Sequence, residues 1–312
     1  MLLPVILLPV IFPSKPRDDN RSAPPAGEIE IIISEAGKGS EQIAVWLGGS
    51  VVSMPLEEYL VGVVAAEMPA SFELEALKAQ AVAARTYTVY KSLHGGCLAH
   101  KGADICTDSS HCQAYLTAEK MASRWNDDMN KYLNKIIEAV LSTRGEMIYY
   151  EDEQIQVFYH ASSGGRTENS ENVYSKALPY LVSVKSEGEE NSSNYYGTVT
   201  VTADEFKSRM RAFSPGISFK NLSLVGKITR YDSGRVNTIQ IGSETFTGRE
   251  IRGVFSLNSA NFRVDVSGGV TFSTVGFGHG VGLSQTGANA MAKQGSDYID
   301  ILTHYFSGVT VK

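Results

Sequence analysis

The chain has 312 residues, 43% of them apolar and 20% charged, a composition that belongs to folded globular proteins and excludes a disordered or fibrous one. A formal charge of −6 and a pI near 5.6, with no cluster of Lys and Arg, exclude a nucleic-acid footprint. The length accommodates two domains, or one domain with a large insertion.

The chain opens on an uninterrupted apolar run, Leu2 to Phe12, that carries Pro4 and Pro9. A bilayer needs about 20 apolar residues, and this run is shorter and lacks the basic flank of a signal peptide. It reads as the second half of a membrane anchor (1–12) whose start lies upstream of Met1, with a bland N-terminal tail as the alternative. Residues 13–27, rich in Ser, Pro and charge, read as a linker. The folded, extracytoplasmic region is then 28–312.

Ile29 to Ile33 and Ile43 to Leu47 are expected as strands. Two helices follow, Pro55 to about Glu67 and about Glu73 to Leu93, with Ser71 placed to cap the second. A Gly/Cys/His-rich stretch, 95–113, precedes one long helix over roughly 117–142. From Met147 the pattern turns to strands, one alternating from Gln154 to His160 and ending in Ser162-Ser163-Gly164-Gly165. Residues 199–270, a short helix at 203–211 among strand-like runs, form a candidate small second lobe. Helices at 284–293 and 297–306 close the chain, each with Gly just past its end. The fold class is α+β, with a helical hairpin packed against mixed and antiparallel β-structure.

Glu67 stands out within this pattern. Leu56, Leu60, Val63 and Val64 fall at i, i+4, i+7 and i+8 of one helix face, and Glu67 at i+11 lies on the same face. Pro69 ends the helix, so the carboxyl group sits in the last turn, at the negative end of the macrodipole and among apolar neighbours. Both influences disfavour ionisation, and a carboxylic acid that stays protonated near neutrality can serve as a general acid. The alternative is a frayed end at Ala65-Ala66 with Glu67 turned out to water.

Three further constellations carry chemistry or a bland equivalent. Lys78 and Arg85 are seven apart on the second helix and share a face; they either line a groove that holds a carboxylate or sugar hydroxyls, or form a solvated cationic face. His100, Cys106 and Cys112 have the spacing H-x5-C-x5-C, with Cys97, His94, Asp104, Asp108 and His111 within reach. Thiolate and imidazole suit a tetrahedral, structural Zn²⁺, whereas one disulfide and a leftover thiol is the competing reading. The run 276–282, Gly-Phe-Gly-His-Gly-Val-Gly, enters a helix at Ser284-Gln285 without the Lys of a phosphate-binding loop or a βαβ context, which argues against a nucleotide. Its glycines let the backbone pass close to something, with His279 and Gln285 offering hydrogen bonds, or else make a tight turn around a packed histidine.

The segments 55–69 (Pro-Leu-Glu-Glu-Tyr-Leu … Ala-Ala-Glu-Met-Pro) and 76–87 (Ala-Leu-Lys-Ala-Gln-Ala-Val-Ala-Ala-Arg-Thr-Tyr) closely resemble the opening motif of the stage II sporulation protein D family. Tyr159-His160-Ala161-Ser162-Ser163-Gly164-Gly165 with Pro179-Tyr180-Leu181, and 278–285 with Gly287-Ala288, resemble two later blocks of the same family, in order. The resemblance implies a membrane-anchored lytic transglycosylase acting on peptidoglycan glycan strands during forespore engulfment. It further implies two partners, an amidase (stage II sporulation protein P) and a membrane protein (stage II sporulation protein M). It makes Glu67 the catalytic acid. No second carboxylate stands out beside it, whereas ordinary glycosidases need two. A lytic transglycosylase manages with one, since the muramyl C6 hydroxyl attacks internally to give a 1,6-anhydro product. On this reading two lobes flank a glycan groove, Lys78 and Arg85 steady a carboxylate or the transition-state charge, and His160, Ser162, Ser163, His279 and Gln285 hydrogen-bond the glycan. A non-catalytic glycan binder that stimulates an amidase, or a zinc hydrolase using His100, Cys106 and Cys112, are the competing classes.

Overall fold

The computed structural model describes residues 24–174 and 176–312. The expected anchor and all of the expected linker up to residue 23 lie outside them. Among the described residues no helix is long and apolar enough to cross a membrane.

The first element is a helix, α1 (Ala26–Gly37), and not the expected strand at 29–33. Ile29, Ile33, Ala36 and Gly37 are buried while Ile31 is 66% exposed, so the apolar run obeys a helical period that its β-branched composition disguised. Pro25 precedes the first turn, and Ala26 and Gly27, assigned to the linker, are part of the helix. β1 (Gln42–Leu47) follows as expected and pairs antiparallel with β2 (Ser50–Pro55) through a two-residue Gly48-Gly49 turn.

α2 (Leu56–Glu67) and α3 (Leu74–Leu93) pack on each other. Glu73, not Ser71, occupies the N-cap of α3, and it makes no side-chain cap. Its backbone N–H instead donates to Asn289 Oδ1 at 2.8 Å, so a distant helix supplies a partner at this end. β3 (Ile105–Cys106) runs parallel to β1. The single helix expected over 117–142 is broken into α4 (Ala118–Trp125) and α5 (Met129–Ser142), joined by a 3₁₀ turn at 126–128. Asn126, at φ 43° and ψ −117°, makes the break. β4 (Ile148–Tyr150), β5 (Glu153–Gln154) and β6 (Tyr159–His160) are short.

β7 (Tyr196–Val201), α6 (Ala203–Phe213), β8 (Val225–Arg230), β9 (Val236–Ile241), β10 (Glu244–Thr247), α7 (Gly248–Phe255), β11 (Phe262–Asp265) and β12 (Val270–Val275) build two antiparallel three-stranded sheets, ordered β10-β9-β8 and β11-β12-β7. The chain then returns through β13 (Leu283–Ser284), which pairs parallel with β6, to α8 (Gln285–Lys293), α9 (Tyr298–Tyr305) and β14 (Thr310–Val311), which joins β4.

Two hydrophobic clusters result. The larger surrounds α3, whose Ala76, Ala79, Ala81, Val82, Ala83 and Ala84 are all buried and let α2, α5, α8 and α9 approach closely. The smaller lies within 201–272 and is aromatic, with Phe206, Phe255 and Phe272 in mutual contact and Phe262 edge-on to Phe272. The molecule is thus mixed α+β with several small sheets.

Candidate active site around Glu67

Glu67 is the last residue of α2 and is half-buried. Its position depends on Gly62, one turn and a half earlier. A Cβ there would lie 2.1 Å from the ring of Tyr115, so only glycine lets the 113–116 segment rest on the helix. Leu116 N–H donates to the Gly62 carbonyl at 3.0 Å, and this contact aims Ala114 N–H at Glu67 Oε1, 2.7 Å away.

The other walls come from far along the chain. The β6–β13 pairing sets Leu283 beside Tyr159 and Ser284 beside His160. Ser284 caps α8, so Gln285 opens that helix with its amide next to Glu67; it also donates to Gln80 Oε1 of α3 at 3.2 Å. The Tyr159 phenol lies close enough to feel Glu67 and accepts from Gln113 Nε2 at 2.8 Å. Burial raises the Glu67 carboxyl above its ordinary value, against the opposing pull of Ala114 N–H and the Gln285 amide. No second carboxylate acts on it among the described residues. The arrangement is a carboxyl group met by two amides beside a phenol. No pattern of the sequence marks Gln113, whereas Gln80 lies near Lys78 and Arg85 as one of two polar residues in the alanine-rich run 79–85, and Tyr159 sits in a noted block.

Of the remaining sequence-predicted residues, only Gln285 meets Glu67. Lys78 and Gln80 are two apart on α3 and therefore point to opposite sides. Lys78 faces away, in an ion pair with Glu75 at 2.7 Å and over the ring of Tyr298 of α9. Arg85 is buried and committed to the fold. Its Nε and Nη2 donate to Glu57 Oε1 and Oε2 at 2.9 and 2.7 Å, and the remaining donors reach the Glu146 and Val140 carbonyls. Neither cation steadies a ligand beside Glu67, because each has satisfied its charge within the protein.

Ser162 and Ser163 are likewise occupied. Both hydroxyls donate to the buried carboxylate of Glu189, at 2.7 and 2.9 Å, together with Gly164 N–H at 2.9 Å and the hydroxyls of Ser284 and Ser186. Five donors on one carboxylate pin the loop 162–164 to the start of α8, a structural role for residues expected on the glycan. His160 points to the opposite face of β6 from Tyr159. It is buried, with Nδ1 near the Val281 carbonyl at 3.2 Å, and its ring lies 5.5 Å from that of His279. Burial and the neighbouring arginines push both imidazoles down, His279 to about 4. The close neighbour of the glycine-rich run is Arg235: a Cβ on Gly280, at φ 88°, would fall 2.1 Å from its guanidinium.

The sulfur-rich stretch converges more fully than its spacing suggested. Cys97, which lay outside the H-x5-C-x5-C pattern, joins Cys106 and Cys112, with all three sulfurs within 4.8 Å of one another. His100 and His111 form a second such group with Cys106. The Cys97 and Cys112 sulfurs are 3.7 Å apart; two thiolates each about 2.3 Å from a tetrahedral zinc would be about 3.8 Å apart. Burial pushes the Cys112 thiol up to about 12, whereas backbone and thiol hydrogen bonds outweigh burial and hold Cys97 below its ordinary value.

Fold and site together define an α+β protein that presents a half-buried carboxyl group at the end of α2, with no second carboxylate acting on it among the described residues. A family model described as "Stage II sporulation protein" matches residues 49–150. The chain is 41% identical to stage II sporulation protein D of Bacillus subtilis, over 84% of this chain and 76% of that protein, and 40% identical to its Bacillus amyloliquefaciens counterpart, over 84% and 75%. It belongs to the stage II sporulation protein D family. A more distant relative, the amidase enhancer of Bacillus subtilis, is 28% identical over 81% of this chain and 40% of its own length.

Proposed function

We propose that this chain is a peptidoglycan lytic transglycosylase with Glu67 as its acid and base. The observation that carries the reading is the solitary, half-buried Glu67 carboxyl, raised by burial and held between Ala114 N–H and Gln285. Glu67 protonates the glycosidic oxygen between N-acetylmuramic acid and N-acetylglucosamine. As a carboxylate it then takes the proton of the muramyl C6 hydroxyl, which closes on C1 to give the 1,6-anhydro end. No water is consumed, so the second carboxylate of a hydrolase has no role. Gln285 and Tyr159 flank the acid and are the side chains placed to orient the sugar.

Membership of the family supports a role in sporulation, and with it we propose an anchored, extracytoplasmic protein working in engulfment beside stage II sporulation proteins P and M. We also propose a structural zinc held by Cys97, Cys106, Cys112 and His100, where a metal would clip the loop 97–112 to β1. A sulfur-rich, four-ligand set fits a closed structural site better than a hydrolytic one with an open position. The second reading, a glycan-binding activator of an amidase, is favoured by the likeness to the amidase enhancer.

The deciding experiment is digestion of purified glycan strands by the parent and by Glu67→Gln, with mass spectrometry of the products. Anhydro-muramyl ends from the parent and their loss by about 10²-fold or more in Glu67→Gln are expected. Unchanged release by Glu67→Gln removes the acid assignment. No release by the parent, with amidase stimulation intact in both proteins, selects the second reading.

A further inference from the structure

The cavity of about 440 Å³ beside His279 lies across β6 from Glu67, between the loop 168–173 and the elements 231–260, and none of the chemistry above uses it. Its size suits a small-molecule group rather than a single ion. Three guanidinium groups line it, those of Arg235, Arg249 and Arg252, with His279 and the acids Glu168 and Glu250.

Both acids are already engaged. Glu168 accepts from Asn169 N–H, Asn172 Nδ2 and the Ser233 hydroxyl, and Glu250 closes the capping box of α7 with Thr247. The arginines, in contrast, are held only by carbonyls. Arg235 donates to Arg166 and Ser163 carbonyls at 2.9 and 2.7 Å, Arg249 to that of Val173 and Arg252 to that of Leu257 at 3.2 Å. Among the described residues none of the three forms an ion pair, and the buried Arg235 Nε and His160 Nε2 have no hydrogen-bond partner. Three guanidinium groups against the two lining carboxylates leave the pocket with one positive charge in excess, and among the described residues Arg249 and Arg252 have no carboxylate partner. Burial lowers Arg235, to about 10, against the pull of Glu168 and Glu189, and it lowers Arg252, where Arg249 adds to the effect and no carboxylate opposes it.

Aromatic groups connect this pocket to the acid. Tyr174 stacks on Phe158, centroids 4.3 Å apart, and meets His279 at 5.8 Å. Its phenol feels Arg249 and Arg252 on one side and Tyr87 on the other, and Tyr87 in turn neighbours Tyr159 beside Glu67.

We propose that the Arg249–Arg252–Arg235 pocket is a receptor for a carboxylate of the bound cell-wall strand, seated some distance along it from the bond at Glu67. A planar carboxylate matches the guanidinium fork. The inference rests on the glycan reading above, and it moves to these arginines the anion-holding task that Lys78 and Arg85 are too committed to perform. The carboxylate comes from one of two sources, the lactyl group of a muramyl residue without its peptide, or the stem peptide.

The test measures binding in the Glu67→Gln protein, where turnover does not intrude. Isothermal titration uses three probes: a chito-oligosaccharide with no carboxylate, denuded strands with free lactyl groups, and strands that keep their stem peptides. Arg252→Gln and the more exposed Arg249→Gln are each expected to weaken the carboxylate-bearing strands by about tenfold or more while the chito-oligosaccharide is unaffected. Arg252→Lys is expected to recover part of the loss. A larger effect on denuded strands assigns the lactyl group, and a larger effect on peptide-bearing strands assigns the stem. Unchanged affinity in both glutamine variants at an unchanged melting temperature overturns the pocket but leaves the glycan reading standing. Failure of every strand to bind the unsubstituted pocket overturns both.

Discussion

At the scale of single residues, Glu67 links the proposed chemistry to stability through one sign. Burial raises its folded-state value above 4.5, so the stability it contributes is complete below that pH and is lost as pH rises through the folded value. Glu67→Gln keeps an acceptor for Ala114 N–H but carries no charge. Calorimetry is therefore expected to find the variant melting at or above the parent at neutral pH, with the difference vanishing below pH 4.5, while strand cleavage is lost. Arg85 has the opposite character. Its bidentate pair with Glu57 is buried, and Arg85→Met leaves that carboxylate unpaired, at an expected cost of about 3–5 kcal/mol in urea unfolding. The double variant Glu57→Met/Arg85→Met is expected to recover much of it. Helical spacing made Lys78 and Arg85 neighbours on a face, but spacing does not say whether a cation meets a ligand or a carboxylate of its own chain. The partner of Arg85 is 28 residues away.

At the scale of elements, two backbone positions organise the neighbourhood of α2 and α5. Gly62→Ala improves helix propensity yet places a methyl group inside the ring of Tyr115. It is expected to displace 113–116, remove the Ala114 hydrogen bond and lower strand cleavage at least tenfold, with changed backbone shifts of Ala114 by NMR as the direct check. Asn126 occupies a conformation that glycine adopts more readily, so Asn126→Gly is expected to be neutral or to stabilise by up to about 1 kcal/mol in denaturant unfolding. The helices α2, α3, α8 and α9 were legible in the sequence within a residue or two, although α2 and α3 are buried on nearly every side rather than along one stripe. The isoleucines of α1 favour a strand locally, whereas its burial against α2 and α4 is decided by tertiary packing. The break at Asn126 had no glycine or proline to announce it.

At the scale of the whole molecule, the parts titrate in opposite directions. His160 and His279 are held below 6.5 by burial and by Arg235 and Arg252, so their contribution to stability is present above that pH and is lost as pH falls, for His279 down to about 4. The melting temperature is expected to drop over this interval, and His279→Gln to flatten the drop. The cysteine cluster sets a further check on the assembled protein: metal analysis is expected to find about one zinc per chain, lost in Cys97→Ala as well as in Cys106→Ala. By itself the sequence determined the α+β class, the helix that ends at Glu67 and the solitary acid, because helical periodicity and a charge on an apolar face are local properties. Only the tertiary structure decided which of the other polar residues surround that acid. Glu189 draws Ser162, Ser163 and Ser284 into the fold, Glu57 draws in Arg85, and the β6–β13 pairing delivers Gln285 from more than two hundred residues away. Local pattern shows that a buried polar group needs a partner; which partner it meets depends on the packing of the whole chain.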